Sequence, residues 1–314
     1  MTTVGNTFYF AWEVNFMTAL QGVMGSFLTT LASLISYLGE EIALVAVVMF
    51  LYLCISKEAG EYIGENVLAG LIWNPMIKNV TLRRRPYMDH ESIKCLRAVD
   101  KKADIYDINA QGFSFPSSHA TCSVTCYGSA ALFFKKNWLT ILSAAICLLV
   151  SLTRVAMGVH YPTDVMVGLA LGGFTILFNS LLRKYIKNRD LMHLVLILLG
   201  IPGCFFCRTN DFYAGFGIMI GFFAASFIER KYINFSMTRN VLRMILRPLV
   251  AFALFYGIST LFKLPFDKAF LESETALSHL VRAVRYAVSV FVVFSVYPLA
   301  FKLWDKKDKK LIRK

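Results

Sequence analysis

The sequence predicts an all-α, polytopic transmembrane helical bundle of about nine spans, with an N-terminal helix lying in the membrane interface. Three observations carry this. Of the 314 residues, 57% are hydrophobic and only 17% are charged, where charged residues approach a quarter of a soluble chain. Windows of about 18 residues or more recur with few charges, the length that crosses the hydrocarbon core. Lys and Arg fall in short clusters between these windows, as topology determinants do. The net charge of +13 is therefore not read as a nucleic-acid-binding surface, and no nucleic-acid partner is expected.

Residues 8–36 are apolar but carry Glu13, Asn15, Gln21 and several aromatics. That suits a helix in the interface at least as well as one that spans. Gly39, Glu40 and Glu41 break the pattern, and spans are predicted over 41–56, 61–79, 117–135, 139–157, 162–182, 191–208, 211–228, 242–262 and 280–303. The first Lys or Arg is Lys57, so the basic start of a cleavable signal peptide is missing. The chain is expected to divide into an interfacial segment (1–39), a core (40–208), and a three-span extension with a basic tail (209–314).

Orientation follows from the cations. One side receives Lys57, Lys135, Lys136, the 183–189 and 230–247 segments and the tail from Lys302, more than half of the 33 Lys and Arg. By the positive-inside rule this side is cytoplasmic, as is the C-terminus. The tail reads as a solvated segment near anionic headgroups. Segments 80–116, 154–161, 208–210 and 263–279 go to the other face. Six of the seven cysteines lie in apolar segments. Cys204 and Cys207 form a C-x-x-C that reads as two small residues one turn apart on a buried helix, and no second pair offers a zinc site.

Three polar stretches interrupt this background, all on the non-cytoplasmic side. Lys78 lies near the end of the second span, where a charge needs a partner or must snorkel. Arg85 follows after six residues, with Pro86 blocking helix continuation. Arg offers a planar fork to phosphate oxygens and Lys a point charge, whereas Arg83 and Arg84 read as an ordinary basic cap. Next, Pro116-Ser117-Ser118-His119 opens the third span. Ser117 suits an N-cap, and the unpaired N–H groups of a helix start attract anions. His119 falls in the first turn. Finally, Arg154 closes the fourth span and His160-Tyr161-Pro162-Thr163-Asp164 opens the fifth, Pro162 suiting its first turn. Asp164, four residues after His160, is near enough to accept from one ring nitrogen and leave the other free to attack. Together these groups suit holding a phosphate and breaking its ester through a histidine.

The stretches resemble the signature of the type 2 phosphatidic acid phosphatase (PAP2) superfamily: K-x6-RP, then PSGH, then SR-x5-H-x3-D. The resemblance covers roughly residues 40–208. It implies that Lys78, Arg85 and Arg154 hold the phosphate, with Ser117 and the backbone at Ser118 and His119. It implies His160 as the nucleophile, Asp164 as its orienting partner, and His119 as the acid and then the base. No metal or other cofactor is implied. Two positions depart from the pattern: Ser118 replaces the glycine, and Thr153 the serine before Arg154. Three further spans after residue 208 are similar in layout to glucose-6-phosphatase, which does not decide substrate.

The expected activity is metal-independent hydrolysis of a membrane lipid phosphate or diphosphate at the non-cytoplasmic face of a bacterial inner or plasma membrane. A phosphotransferase, a soluble sugar-phosphate phosphatase, and a non-catalytic lipid-binding or transport protein stay open beside it, as does the oligomeric state. The loop 80–116, with Tyr87, Asp89, His90, Lys101 and Lys102, is expected to border the entrance. Arg282 and Arg285, at the start of the last span, read as snorkelling anchors.

Overall fold

A computed structural model describes residues 5–302; the basic tail beyond Lys302 lies outside the described residues. The described residues form helices and loops, and their strand-like pairing is an isolated bridge between Asn6 and Arg83. Six helices are long and apolar enough to cross a membrane: Asn137–Ala156, Pro162–Tyr185, Arg189–Phe206, Asn210–Ile233, Val241–Leu261 and Ala276–Lys302. These match the last six predicted spans. A seventh is reached if Ala11–Gly22 and Ser26–Gly39, bent by 116°, form one broken or re-entrant span.

The count of nine is thus not reproduced, and the reasons are local. Glu41–Ile55 is apolar but short. Lys57–Thr81 has 25 residues but carries Lys57, Glu58, Glu61, Glu65 and Lys78. The third predicted span runs from Ser118 to Phe134 as two short α-helices joined by a wider π turn at Val124–Gly128.

The described chain divides into two compact units, one of residues 5–45 and 69–181, the other of 46–68 and 182–302. In the first, the helix Ser26–Ser36 packs on Asn137–Ala156. Its apolar core gathers Met17, Ala32, Tyr87, Ile93, Ala120, Val155, Met157, Val159, Tyr161 and Val165. This core draws on every polar stretch's flanks, so burying it also aligns them.

Two backbone features fix that alignment. Gly158 has φ +77°, and a Cβ there would meet the Lys94 carbonyl oxygen at 2.2 Å; the turn between Arg154 and His160 requires glycine. Gly168 and Gly172 let Pro162–Tyr185 lie against the Ser118 helix, since Cβ atoms there would meet the carbonyl oxygens of Ser117 and Thr121 at 2.7 and 2.8 Å.

The second unit is held by a buried ion network. Glu61 accepts from Arg189 at 2.9 Å, from Ser226 at 2.5 Å and from Arg230, while Glu65 pairs with Arg183 and with His193 Nε2 at 2.8 Å. His193 stacks on Phe223 at 4.1 Å. The charges that make Lys57–Thr81 look too polar for a span are therefore consumed inside the protein.

The close approach at Gly168 sets an expectation. Gly168→Val should lower stability by about 1–3 kcal/mol, seen as a lower Tm in detergent. Gly173→Ala, where nothing lies within 4 Å of an added Cβ, should leave Tm unchanged or raise it.

Candidate active site

All eight candidate residues read from the sequence lie in the first unit. Lys78 sits in the last turn of Lys57–Thr81, 7% exposed, and its Nζ donates to the Phe113 carbonyl at 3.1 Å. After Leu82, with φ +52°, the chain turns sharply. Arg85 caps the short helix Pro86–Asp89 and is buried. Its fork donates to the carbonyls of Gln111, at 2.7 Å from Nη2, and of Val159, at 2.9 Å from Nη1. The guanidinium thus reaches the loop that leads into His160.

Ser117 is the residue that caps the helix opening at Ser118, but its hydroxyl makes no capping bond and is buried without a partner. Its N–H donates to the Asp164 carbonyl at 2.9 Å, joining the second polar stretch to the third. Ser118 occupies an ordinary helical position, with its hydroxyl donating to Asn74 at 2.7 Å. Serine in place of the pattern's glycine therefore strains nothing and turns its side chain into Asn74. His119 Nε2 has no partner, and the ring is within electrostatic reach of Arg154, His160, Lys78 and Arg85.

Arg154 is buried, donates from Nη1 to the Ser36 hydroxyl at 2.8 Å, and keeps an unpartnered Nε. Thr153 turns its hydroxyl to the Val150 carbonyl at 2.6 Å. His160 is 2% exposed. Burial, and after it the charges of Arg85, Lys78 and Arg154, push its imidazole well below the ordinary histidine range. The ring is thereby kept neutral, with a lone pair, at neutral pH.

Asp164 lies 3.5 Å from His160 Nδ1, an ion-pair distance rather than a hydrogen bond. Its carboxylate is otherwise saturated. Oδ1 accepts from Arg83 Nη1 at 2.6 Å, and Oδ2 from the Tyr161 N–H at 2.7 Å and the Ser114 hydroxyl.

Here the sequence reading needs correction. Arg83 is no surface cap: it is 1% exposed, pairs with Asp164 and with Glu13 at 3.0 Å, and lies over the Tyr161 ring at 3.9 Å. Arg84 alone keeps a peripheral role, pairing with Asp89 at 3.1 Å. Glu13, fully buried, also accepts from the N–H of Thr163 at 3.0 Å, its hydroxyl at 2.6 Å, and the Phe10 N–H at 2.8 Å. The N-terminal bent pair is thus bonded to both Arg83 and the start of the Asp164 helix. The signal was available, because a glutamate inside an apolar stretch needs a partner. Ser36 and Ser114 carried none.

Outside this site, Glu61, Glu65 and His193 bring three potential metal-ligand atoms within 4.8 Å of one another. Their carboxylates already accept from Arg183, Arg189, Arg230 and Ser226, which makes this an ion network. Cys204 is exposed and Cys207 buried, and both are free thiols.

The PAP2 superfamily model matches residues 59–188, and that of the PAP2 superfamily phosphatase transmembrane extension matches residues 213–308. Among curated proteins, the lipid A 1-phosphatase of Rhizobium etli is 40% identical over 68 residues, 22% of this chain and 28% of that protein. The lipid A 4'-phosphatase of Bacteroides thetaiotaomicron is 37% identical over 73 residues, 22% of this chain and 32% of that protein. The undecaprenyl-diphosphatase BcrC of Bacillus subtilis is 30% identical over 129 residues, 40% of this chain and 60% of that protein. The chain spans about a third or less of the length of the first two. No solved structure matches. With two models of one superfamily matched in order over most of its length, around polar stretches that converge on His160, this chain belongs to the PAP2 superfamily.

Proposed function

We propose that the chain is a membrane phosphatase that hydrolyses a lipid phosphate or diphosphate through a phosphohistidine on His160, at the non-cytoplasmic face. The observation that carries this reading is the convergence of Lys78, Arg85 and Arg154 on a buried, neutral His160. Three cations around one nucleophile suit a group that arrives with two or more negative charges.

In the first step a ring nitrogen of His160 attacks phosphorus and the ester bond breaks. His119 gives its proton to the departing oxygen. In the second step His119 takes a proton from water, whose oxygen attacks phosphorus, and the phosphorus–nitrogen bond breaks to release inorganic phosphate and free His160. Lys78, Arg85 and Arg154, with the Ser117 hydroxyl and the N–H groups at Ser118 and His119, neutralise the phosphoryl oxygens throughout. Such positioning and charge stabilisation make up most of phosphoryl-transfer catalysis.

Asp164 stabilises the imidazolium character that His160 gains on attack. Arg83 acts through Asp164 as a positioning residue, holding the carboxylate in place. A lipid substrate fits the surroundings: the bent N-terminal pair exposes Trp12, Phe16, Phe27, Leu31 and Leu34, while Ser36 of the same segment bonds Arg154. The matched relatives are named for lipid A and undecaprenyl-diphosphate substrates. A bacterial inner or plasma membrane, with a cytoplasmic C-terminus, is the location consistent with this.

The test is phosphate release by purified protein without added divalent metal, from a panel running from glucose 6-phosphate to polyprenyl diphosphate. His160→Ala should lose at least about 10³-fold in rate; full activity in that variant would sink the mechanism. Release confined to soluble sugar phosphates would overturn the lipid assignment.

Arg83→Gln should lower kcat about ten- to a hundredfold with little change in KM. Arg83→Lys should not restore it, since one ammonium cannot span Asp164 and Glu13. An equal loss carried by KM would instead assign Arg83 to substrate binding.

The acid limb of the kcat/KM profile, which reports His160, has a definite sign, while the alkaline limb belongs to His119, which must carry its proton in the first step. His160 attacks as the neutral ring, and its depressed value means protonation begins only below the ordinary histidine range. Activity should hold through mildly acidic pH and fall at lower pH than an unperturbed imidazole would give. An acid limb centred on about 6.5 would contradict the electrostatics described here.

A further inference from the structure

The last span contradicts the snorkelling expected of its arginines. Arg285 is 3% exposed, and its guanidinium Nε is buried without a partner. The guanidinium lies 4.7 Å from the centre of the Tyr286 ring. Arg282 lies three residues earlier and His279 three before that, so the three share one helix face. Arg282 donates from Nη2 to the Leu271 carbonyl at 3.0 Å, but its Nε is buried without a partner, as are Arg285 Nε and His279 Nδ1.

The neighbouring elements belong to the same unit. His279 stacks on Tyr213 of the Asn210–Ile233 helix at 4.0 Å, and Tyr286 faces Phe255 of the Val241–Leu261 helix at 5.9 Å. Lys263 follows that helix. Partial burial, and after it the charges of Arg285 and Arg282, hold its ammonium below the ordinary lysine range, which places three cations together. Glu272 and Glu274 are in electrostatic reach of Arg282, but both are exposed and Glu272 is paired with Lys268 at 3.8 Å. A buried guanidinium beside two like charges, its Nε left unpartnered, is a costly arrangement that a bound anion relieves.

We infer that Arg285 and Arg282, with Lys263 and His279 at the edge, form a second anion site in the transmembrane extension, which holds the phosphate of a lipid headgroup or of free inorganic phosphate. A planar fork of donors matches phosphate oxygens. Arg285 lies nine residues into its helix, about 13 Å along the axis from its start. The site binds rather than hydrolyses, because no carboxylate of the described residues pairs with His279 as Asp164 does with His160. The inference does not depend on the phosphatase reading.

The test uses the full chain carrying His160→Ala, in phosphatidylcholine nanodiscs, so that nothing is turned over. Two probes are compared: radiolabelled orthophosphate, and dioleoyl phosphatidylglycerol counted by native mass spectrometry. Arg285→Gln should weaken one probe at least about tenfold, Arg282→Gln likewise, and Arg285→Lys by less. Weakening of phosphatidylglycerol alone identifies a lipid headgroup, and weakening of orthophosphate alone identifies free phosphate. If Arg285→Gln does not fold, as judged by Tm, the half-buried Arg282→Gln carries the comparison. Unchanged binding of both probes in a folded variant overturns the site.

Discussion

One guanidinium holds the first unit together. Arg83 lies between Asp164 and Glu13, all three removed from water. In such surroundings each charge alone would be prohibitive, and the arrangement survives only because every donor and acceptor is matched. Deleting one member of a buried pair costs about 3–5 kcal/mol, because it strands the other. The triad therefore works as a fastener. It joins the amino-terminal bent pair, the end of Lys57–Thr81 and the start of Pro162–Tyr185, segments far apart in the chain, at one depth.

The site around it uses cations in two ways. Arg83 is neutralised by carboxylates, so its charge is spent within the protein. Arg85 and Arg154 hydrogen-bond to backbone carbonyls and a serine hydroxyl, partners that orient a cation without cancelling it. The first kind builds the scaffold, and the second keeps a positive field around His160. Sequence spacing cannot separate Arg83 from Arg85, since both are arginines two residues apart beside the same span.

That limit explains what was legible. His160, Asp164, His119, Lys78, Arg85 and Arg154 stood out because charged groups at helix ends in an apolar chain need a reason to be there. Arg83 was assigned to the surface because clustered basic residues beside a span usually are. Glu13 in an apolar stretch showed that a partner was needed, but only tertiary structure paired it with Arg83. Arg285 was misread for the same reason, since burial on a helix face depends on neighbours that the local sequence does not name. The nine predicted spans and the six that qualify by length and composition part where helices are short, as at Glu41–Ile55, or carry charges, as Lys57–Thr81 does. Hydropathy records only what a residue prefers, and Glu61 and Glu65 meet that preference inside the protein.

The reach of Glu13 and Ser36 also bears on what counts as a transferable module. The segment matched by the superfamily model, 59–188, contains every motif residue, yet three of its arginines, Arg83, Arg97 and Arg154, take partners from the first forty residues. Excised and grafted elsewhere, it would carry the chemistry without its counter-charges. Arg83 would face one carboxylate instead of two, and Arg154 would lose its serine. The boundary of a recurring sequence pattern and the boundary of a self-sufficient electrostatic unit are different lines in this chain, and the second encloses the amino terminus.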